Sequence, residues 1–318
     1  MRIAVIGAGA IGGLYGGLLA RAGQEVQFLA RGAHLASLTG RGLEVRTADL
    51  GTFHVDAVAA ADPRELAPAE LAVLTVKTYD LEAALPATAQ LLAPGGSVLT
   101  LQNGLDAPDQ VARKIPSELV LIGTTAVETT LVEPGVIAHM SPFRQVTVAA
   151  FDGPPTPVVR QVVEVLRGAR IDATSVEDGH RSLWEKAAPL IPLATLTSLC
   201  QLPIGPIREL PETRALIETL LAEVIVVARA YGYDLSDVQQ RSLTLLDRIP
   251  PTMRASMARD FERGGRTELE ALTGAIVRLA ESRQVEVPAT RAAYAVLKLR
   301  EQQLAQARDG VGSVVAGQ

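Results

Sequence analysis

The first half of the chain alternates two patterns of hydrophobic and polar positions. Segments with helical spacing occupy residues 14–22, 81–92 and 158–166. Before and between them lie short β-branched runs, each the length of one strand: RIAVIG (2–7), EVQFLA (25–30), LAVLTVK (71–77), SVLTLQ (97–102) and LVLIG (119–123). Because buried strands alternate with helices, this pattern predicts a mostly parallel sheet covered by helices on both faces.

Three further segments of this half predict antiparallel strands. Residues 43–58 have the pattern of a hairpin with Gly51 in the turn. Residues 136–140 and 145–151 are expected to add antiparallel strands at an edge of the sheet.

From about residue 175 the hydrophobic positions follow a helical period. The segments with this spacing are 214–231, 236–248, 267–282 and 289–308. Apolar residues cover most of the circumference of 214–231, which predicts a central, largely buried helix. We therefore expect an α/β domain over residues 1–172 and an all-α domain over residues 173–318, with the last eight residues frayed.

Composition limits the class of protein. The 318 residues are 48% hydrophobic and 20% charged, as in soluble globular proteins, and the net charge of −5 argues against a general nucleic-acid-binding surface. No apolar stretch is long enough to span a membrane. The single cysteine, Cys200, is expected to be a small buried hydrophobe, and a cytoplasmic location is favoured. No metal site is expected, because the histidines lie far apart: His34, His54, His139 and His180.

A glycine-rich motif follows the first predicted strand and begins the first helix. It reads Gly7, Ala8, Gly9, Ala10, Ile11, Gly12. Its first glycine permits a tight turn, the second lets the backbone approach a pyrophosphate, and the third allows close packing of helix on strand. The helix N-terminus presents N–H groups to phosphates. The motif in this context predicts a Rossmann-type dinucleotide-binding domain, with a glycine-rich turn that binds nothing as the alternative.

The residue after the second strand indicates which dinucleotide is bound. NAD sites usually carry Asp or Glu there to bind the ribose hydroxyls, whereas this chain has Arg31. A guanidinium can form charge-assisted hydrogen bonds with a 2′-phosphate, so NADP(H) is favoured over NAD(H). A solvated arginine after a strand is the simpler alternative.

Two other predicted strands end in polar residues. Lys77 ends the third strand and Asn103 follows the fourth. Ligands of open α/β sheets bind beyond the carboxyl ends of the strands, so we expect these side chains to contact the cofactor or the substrate.

An ordered set of motifs resembles the ketopantoate reductase (2-dehydropantoate 2-reductase) family. The motifs are GAGAIG, Arg31, VKT (76–78), QNG (102–104), GTT (123–125), WEK (184–186), PIGPI (203–207), RTELE (266–270) and TG (273–274). The resemblance covers about residues 1–290. It implies a Rossmann-type domain, a helical domain and an active site in the cleft between them. It also implies NADPH-dependent reduction of ketopantoate to pantoate, on the route to pantothenate and coenzyme A.

The same resemblance implies roles for particular residues. Lys186 matches the catalytic lysine and Glu268 the active-site carboxylate, both of them also touching the substrate. Ser256 matches a substrate-contacting serine, and Asn103 an asparagine near the nicotinamide and the substrate. Arg31 and Lys77 match cofactor-binding positions.

Lys186 lies in an otherwise apolar run, LWEKAAPLIPL (183–193). Hydride transfer to a ketone produces an alkoxide, and a lysine ammonium can both stabilise and protonate it. Partial desolvation would lower the pKa of such a lysine. From the residues alone, a lysine with its apolar stem buried and its ammonium in water is the alternative.

Several positions depart from the family pattern. Many members carry Asn where this chain has Leu190, Ala194 and Ile204, so three amides of the substrate pocket are missing. Pro189 and Pro192 are expected to interrupt and bend the helix. Loss of the amides leaves open a less polar 2-keto acid or another carbonyl substrate. A non-catalytic NADP-binding regulator is a further alternative, and the apolar helices are compatible with a homodimer.

Overall fold

The computed structural model describes residues 1–141 and 143–315, with side chains up to residue 308. The fraying expected at residues 311–318 falls outside the described side chains. The strands are β1 (Arg2–Ile6), β2 (Glu25–Leu29), β3 (Leu43–Thr47), β4 (Gly51–Val55), β5 (Val58–Ala60), β6 (Ala69–Leu74), β7 (Leu92–Thr100), β8 (Val120–Ala126), β9 (Thr129–Glu133), β10 (Val136–His139), β11 (Gln145–Ala150) and β12 (Asp172–Ser175). The helices are α1 (Ala10–Arg21), α2 (Gly32–Arg41), α3 (Leu81–Leu91), α4 (Ala107–Ala112), α5 (Pro157–Gly168), α6 (Gly179–Cys200), α7 (Ile204–Glu209), α8 (Pro211–Ala230), α9 (Ser236–Arg248), α10 (Ser256–Glu262), α11 (Thr273–Ser282) and α12 (Pro288–Val315).

The larger sheet has eight strands in the order β12-β11-β8-β7-β6-β1-β2-β5. Neighbours from β8 to β5 in this order pair in parallel, which confirms the predicted mostly parallel sheet. Strand β11 pairs antiparallel with β8, as predicted for residues 145–151. Its expected position at the edge is wrong, because β12 pairs with its other side. The β12 sequence DATS lacks the apolar run that marked the other strands.

The central strands are buried on both faces. In β1, Ile3 and Val5 belong to a hydrophobic cluster with side chains of α1 and α5, whereas Ala4 and Ile6 belong to a second cluster with side chains of α3 and α4. Successive side chains of a strand point to opposite faces, so a strand covered by helices on both sides must be apolar at every position. This requirement explains the continuous runs in the sequence.

A second sheet has four strands in the order β4-β3-β10-β9. Strands β3 and β4 form the predicted hairpin, and Gly51 follows its turn with φ +69°. Strand β10 pairs parallel with β3 and antiparallel with β9. The expectation that residues 136–140 form an edge strand of the main sheet is therefore wrong.

Glycines of α1 allow this second sheet to pack closely against the helix. A Cβ atom on Gly13 would lie 2.7 Å from Ile137 of β10, and one on Gly17 would lie 2.7 Å from Val45 of β3. The helix thus packs against the second sheet at positions where a larger side chain would not fit. A contact between segments so far apart in the chain produces no periodic pattern in the sequence around residues 136–140, so the second sheet was not predicted.

The second half of the described chain is built from helices. Helix α9 has the predicted bounds. Helix α8 buries Leu220, Leu221 and Val224 completely, but only eight of its 20 residues are buried and Val226 is 45% exposed, so the prediction of a largely buried helix holds only in part. The predicted helix 267–282 is wrong over its first residues, because α11 begins only at Thr273. Residues 269–272 form turns instead, in which the carbonyl of Glu268 accepts the N–H groups of Ala271 and Leu272.

Helix α6 is continuous from Gly179 to Cys200 and contains both Pro189 and Pro192. The predicted interruption at these prolines is therefore wrong. Asp178 precedes the helix, and its carboxylate accepts the backbone N–H of Arg181 at 2.8 Å. The backbone N–H groups of a helix's first turn have no acceptor within the helix, and the Asp178 carboxylate supplies one.

The chain divides into two compact units, Met1–Ser182 and Leu183–Gln318. The predicted domain limits, residues 1–172 and 173–318, stay a prediction. Within the part of the chain that the structure describes, none of the helices combines the length and apolar character needed to cross a membrane.

Candidate active site

The glycine-rich turn joins β1 to α1 in the first unit. Gly7 has φ +97°, and a Cβ atom there would lie 2.7 Å from the backbone nitrogen of Val76. A Cβ on Gly12 would overlap the carbonyl oxygen of Gly7 and the hydroxyl of Thr75. That hydroxyl donates to the Gly7 carbonyl at 2.7 Å and so links the turn to the segment after β6. Only glycine fits at these two positions of the turn.

Gly9 differs from the other two glycines of the motif. A Cβ atom built on Gly9 would meet nothing within 4 Å, and this residue is the N-cap of α1. The backbone here borders open space at the positive end of a helix, which is the arrangement that binds phosphate groups. The turn therefore fits the pyrophosphate of a dinucleotide in shape and in donor type.

The strands on either side of β1 place Arg31 and Lys77 beside this turn. Arg31 is the N-cap of α2 after β2, and Lys77 precedes a 3₁₀ turn, Thr78–Asp80, after β6. Since β1 pairs with both β2 and β6, the two cations follow strands that flank the glycine-rich turn. The Arg31 side chain is 80% exposed, and its guanidinium donates to the Asp80 carboxylate at 3.2 Å.

Asn103 lies after β7, next in the sheet to β6. It is half-buried and lies between Gln102 and Gly104. The side chain of Gln102 is buried, and neither atom of its amide group has a hydrogen-bond partner among the described residues. Sequence reasoning selected Asn103 and passed over Gln102.

His34 supports the helix that begins after Arg31. Its Nδ1 accepts the backbone N–H of Gly135 at 3.0 Å, and burial lowers the pKa of its imidazole. The hydroxyl of Ser37 donates to the carbonyl of Pro134 at 2.8 Å. These contacts connect α2 to the turn between β9 and β10 and give His34 a structural role.

Lys186 lies on α6 in the second unit and is half-buried. Removal of its ammonium from water lowers the pKa of Lys186 to about 8, while the negative charge of Glu268 acts in the opposite direction. The neighbouring Trp184 is buried, with its rings 6.2 Å from the ring of Tyr231 and 6.3 Å from that of Tyr233. The helix is thus packed through Trp184, while the charge of the Glu268 carboxylate acts on Lys186.

Glu268 lies on the connection between α10 and α11 and is only 4% exposed. The hydroxyls of Thr195 on α6 and Thr273 at the start of α11 are 2.8 Å apart, which links the two helices. The connection therefore holds a buried carboxylate close enough to α6 to affect the pKa of Lys186. A perturbed lysine beside a buried carboxylate is a common arrangement in active sites.

Ser256 is the first residue of α10 and is exposed. The loop before it is held by α7, where the N–H groups of Ile204 and Gly205 donate to the carbonyls of Met253 and Pro251, each at 2.9 Å. Of the three positions that lack the family asparagine, Ala194 and Ile204 are fully buried and Leu190 is half-buried.

Two other expectations concern chemistry outside these residues. The prediction that Cys200 is buried is wrong, because it ends α6 with an exposed side chain. Among the described side chains, which end at residue 308, no group of three or more His, Cys, Asp or Glu residues is arranged to hold a metal ion.

Comparison with protein families decides the assignment. Residues 3–153 match the model of ketopantoate reductase PanE/ApbA, and residues 178–301 match the model of its C-terminal domain. The chain belongs to the ketopantoate reductase family. Members of this family are nicotinamide-dependent oxidoreductases that act on CH–OH groups, so the chain is an enzyme of that class.

Relatives along the whole length support the family assignment. A 2-dehydropantoate 2-reductase of Halobacterium salinarum is 31% identical over 95% of this chain and 99% of its own. The crystal structure of a PanE/ApbA family ketopantoate reductase from Ralstonia eutropha has 30% identity and a TM-score of 0.88, covering 96% of this chain and 99% of that one. D-Mandelate dehydrogenase, solved with NADH and anilino(oxo)acetate, shares the fold with a TM-score of 0.88 at 21% identity, over 96% of this chain and 99% of its own.

The family assignment accounts for the glycine-rich turn and for the pairing of a Rossmann-type sheet with a helical unit. Asp80 and Gln102 are the residues near the predicted site that sequence reasoning did not select. Asp80 follows the family motif VKT by two positions, and Gln102 lies inside the motif QNG. Their position in or next to these motifs was the available signal, and the contact of Asp80 with Arg31 depends on the folded sheet.

Proposed function

We propose that this ketopantoate reductase family member reduces a small 2-keto acid to the 2-hydroxy acid with NADPH, and that 2-dehydropantoate is the first substrate to test. The observation that supports it most is the ammonium of Lys186, with its pKa of about 8 and its electrostatic coupling to buried Glu268. A proton donor with a pKa near neutrality suits general acid catalysis.

The first unit is proposed to bind the dinucleotide, which supplies the hydride when bound. The backbone of the turn Gly7–Gly12 would hold the pyrophosphate, and Arg31 would pair with the 2′-phosphate. Lys77 and Asn103 follow strands whose carboxyl ends lie at the same edge of the sheet, so they would contact the ribose, the nicotinamide or the substrate.

The second unit is proposed to supply the proton. The ammonium of Lys186 would donate a hydrogen bond to the ketone oxygen of the substrate, stabilise the negative charge that develops there, and transfer its proton to that oxygen. Glu268 would keep the ammonium protonated and oriented, because its negative charge raises the pKa of Lys186 against the effect of burial. Ser256 would contact the substrate from the start of α10.

A second candidate keeps the chemistry but changes the substrate. Leu190, Ala194 and Ile204 replace three amides of the family pattern, and two of these alkyl side chains are fully buried. A site that lacks these three amides offers fewer hydrogen bonds to a substrate hydroxyl and discriminates less against analogues that lack it. This observation favours a 2-keto acid with an alkyl or aryl group in place of the hydroxylated substituent.

Steady-state oxidation of NADPH tests both candidates. The substrates are 2-dehydropantoate and a panel of alkyl and aryl 2-keto acids, each measured with the wild-type enzyme and with Lys186→Met. Highest kcat/KM on 2-dehydropantoate, lost in the variant, supports the first candidate. Highest kcat/KM on an analogue without the hydroxyl supports the second. Tight NADPH binding without turnover on any 2-keto acid would contradict both.

A further inference from the structure

Asp80 lies beside the position where this fold recognises the ribose of the adenosine half of a dinucleotide. It ends the 3₁₀ turn after β6, and its Oδ2 is 3.2 Å from a terminal nitrogen of the Arg31 guanidinium. Because β1 lies between β2 and β6, the ion pair joins the ends of two strands on opposite sides of the glycine-rich turn. The carboxylate and the guanidinium therefore occupy one local region of the first unit.

The two side chains favour different cofactors. In Rossmann-type sites an acidic residue after the second strand accepts hydrogen bonds from the ribose hydroxyls of NAD, whereas an arginine there accommodates the 2′-phosphate of NADP. This chain has the arginine in that position and, within hydrogen-bonding distance of it, a carboxylate that comes from a different strand. The site thus contains the recognition groups for both cofactors.

We infer that Asp80 is a specificity-determining residue, which reduces the preference for NADPH over NADH below the preference that Arg31 alone would produce. The inference rests on the proposed contact between Arg31 and the 2′-phosphate. A 2′-phosphate carries nearly two negative charges at neutral pH and would compete with Asp80 for the same guanidinium donors. The ribose hydroxyls of NADH carry no charge and can donate hydrogen bonds to the carboxylate.

The ion pair also has an effect that favours NADPH binding. Asp80 also restrains the Arg31 side chain, which would otherwise lose more conformational freedom on binding a phosphate. Arg31 is 80% exposed and the Asp80 side chain 30% exposed, and ion pairs with this exposure contribute little. The Asp80 carboxylate repels a 2′-phosphate that carries almost two negative charges. This repulsion outweighs the benefit of restraining the Arg31 side chain.

The test is the binding of NADPH and NADH to the full chain without any keto acid, measured by calorimetry for the wild type, Asp80→Asn and Glu82→Gln. Asp80→Asn removes the charge with little change of shape. Glu82 is an exposed carboxylate two residues further on, so its variant controls for a general change in charge. We expect Asp80→Asn to lower the Kd of NADPH about fivefold and to leave that of NADH equal or higher, whereas Glu82→Gln changes the ratio less than about twofold.

Two further measurements separate this inference from the proposed function. Higher salt should reduce the difference between the wild type and Asp80→Asn, since the repulsion is partly screened at this exposed site. Arg31→Ala should weaken NADPH much more than NADH. A selective loss in Arg31→Ala, combined with an unchanged or lowered NADPH preference in Asp80→Asn, overturns the role of Asp80 alone. Equal losses of both cofactors in Arg31→Ala overturn the phosphate contact and the inference together.

Discussion

The negative charge of Glu268 opposes the effect that burial has on the pKa of Lys186. Lys186 lies on α6 and Glu268 on the non-helical connection before α11, and the net result is a lysine pKa of about 8. Burial of a lysine lowers stability, because the charged form loses hydration. A lysine kept in such a place is more readily explained by chemistry than by packing, and three predictions follow from its pKa and charge.

Replacement of the ammonium should remove most of the activity. In Lys186→Met the stem is kept and the proton donor is lost, so we expect kcat to fall by about 10²- to 10⁴-fold, the usual contribution of general acid catalysis. Steady-state kinetics with a 2-keto acid and NADPH measure the effect. Lys114→Met is the matched control, since Lys114 is exposed on the first unit. A variant of Lys186 with near-normal kcat would exclude it as the proton donor.

The rate of reduction should depend on pH through the same group. The ammonium is the active form, so kcat/KM should be level below pH 8 and fall about tenfold per pH unit above it. Glu268→Gln removes the charge that raises the pKa of Lys186, and the fall should then begin at a lower pH. Glu270→Gln, which changes an exposed carboxylate bonded to Lys298, should leave the profile in place. Identical profiles for the wild type and Glu268→Gln would argue against the coupling.

The free energy of unfolding should rise with pH in the range where kcat/KM falls. Between about pH 8 and the ordinary lysine value of 10.5, the unfolded chain binds the proton of Lys186 and the folded chain does not, so the free energy of unfolding rises with pH across this window. Lys186→Met should therefore be more stable than the wild type at pH 7, by up to about 3 kcal/mol. Denaturant unfolding at pH 7 and pH 9.5 should show this gain shrink at the higher pH. A variant less stable at pH 7 would contradict the prediction.

Two glycines of the cofactor motif, Gly9 and Gly12, should respond differently to alanine. Gly9→Ala places its methyl group in open space, so we expect normal folding but an NADPH Kd raised at least tenfold, since the methyl group occupies the space proposed for the pyrophosphate. Gly12→Ala overlaps the Gly7 carbonyl and should lower the melting temperature. Gly40→Ala on α2, also in open space, is the control for both measurements. Unchanged NADPH affinity in Gly9→Ala would argue against binding of the pyrophosphate at this turn.

Glu223 should contribute to the stability of the helical unit. Its buried carboxylate, on α8, accepts the N–H of Ala289 at 2.9 Å and the N–H and hydroxyl of Thr290 at 2.7 and 2.6 Å, at the start of α12. Glu223→Gln removes the charge and places an amide donor against these donors, which should cost about 1–3 kcal/mol. Thermal unfolding measures the loss, and Glu212→Gln, exposed on the same helix, should show little change.

The sequence by itself determined those elements whose signal is local. The continuous apolar run of β1 follows from burial on both faces, the turn at Gly7–Gly12 from backbone conformation and close approach, and the bounds of α9 from its helical period. Each of these elements depends on residues that are close together in the sequence, so periodicity and residue type are sufficient to predict it.

Only the tertiary structure decided which segments meet. The placement of β10 in a second sheet depends on glycines of α1, the turn at residues 269–272 breaks a helical pattern, and the exposure of Cys200 depends on where α6 ends. The same is true of the pairing of Asp80 with Arg31 and of Glu268 with Lys186. Contacts between residues far apart in the chain produce no periodic pattern in the sequence, because the two partners meet only in the folded protein.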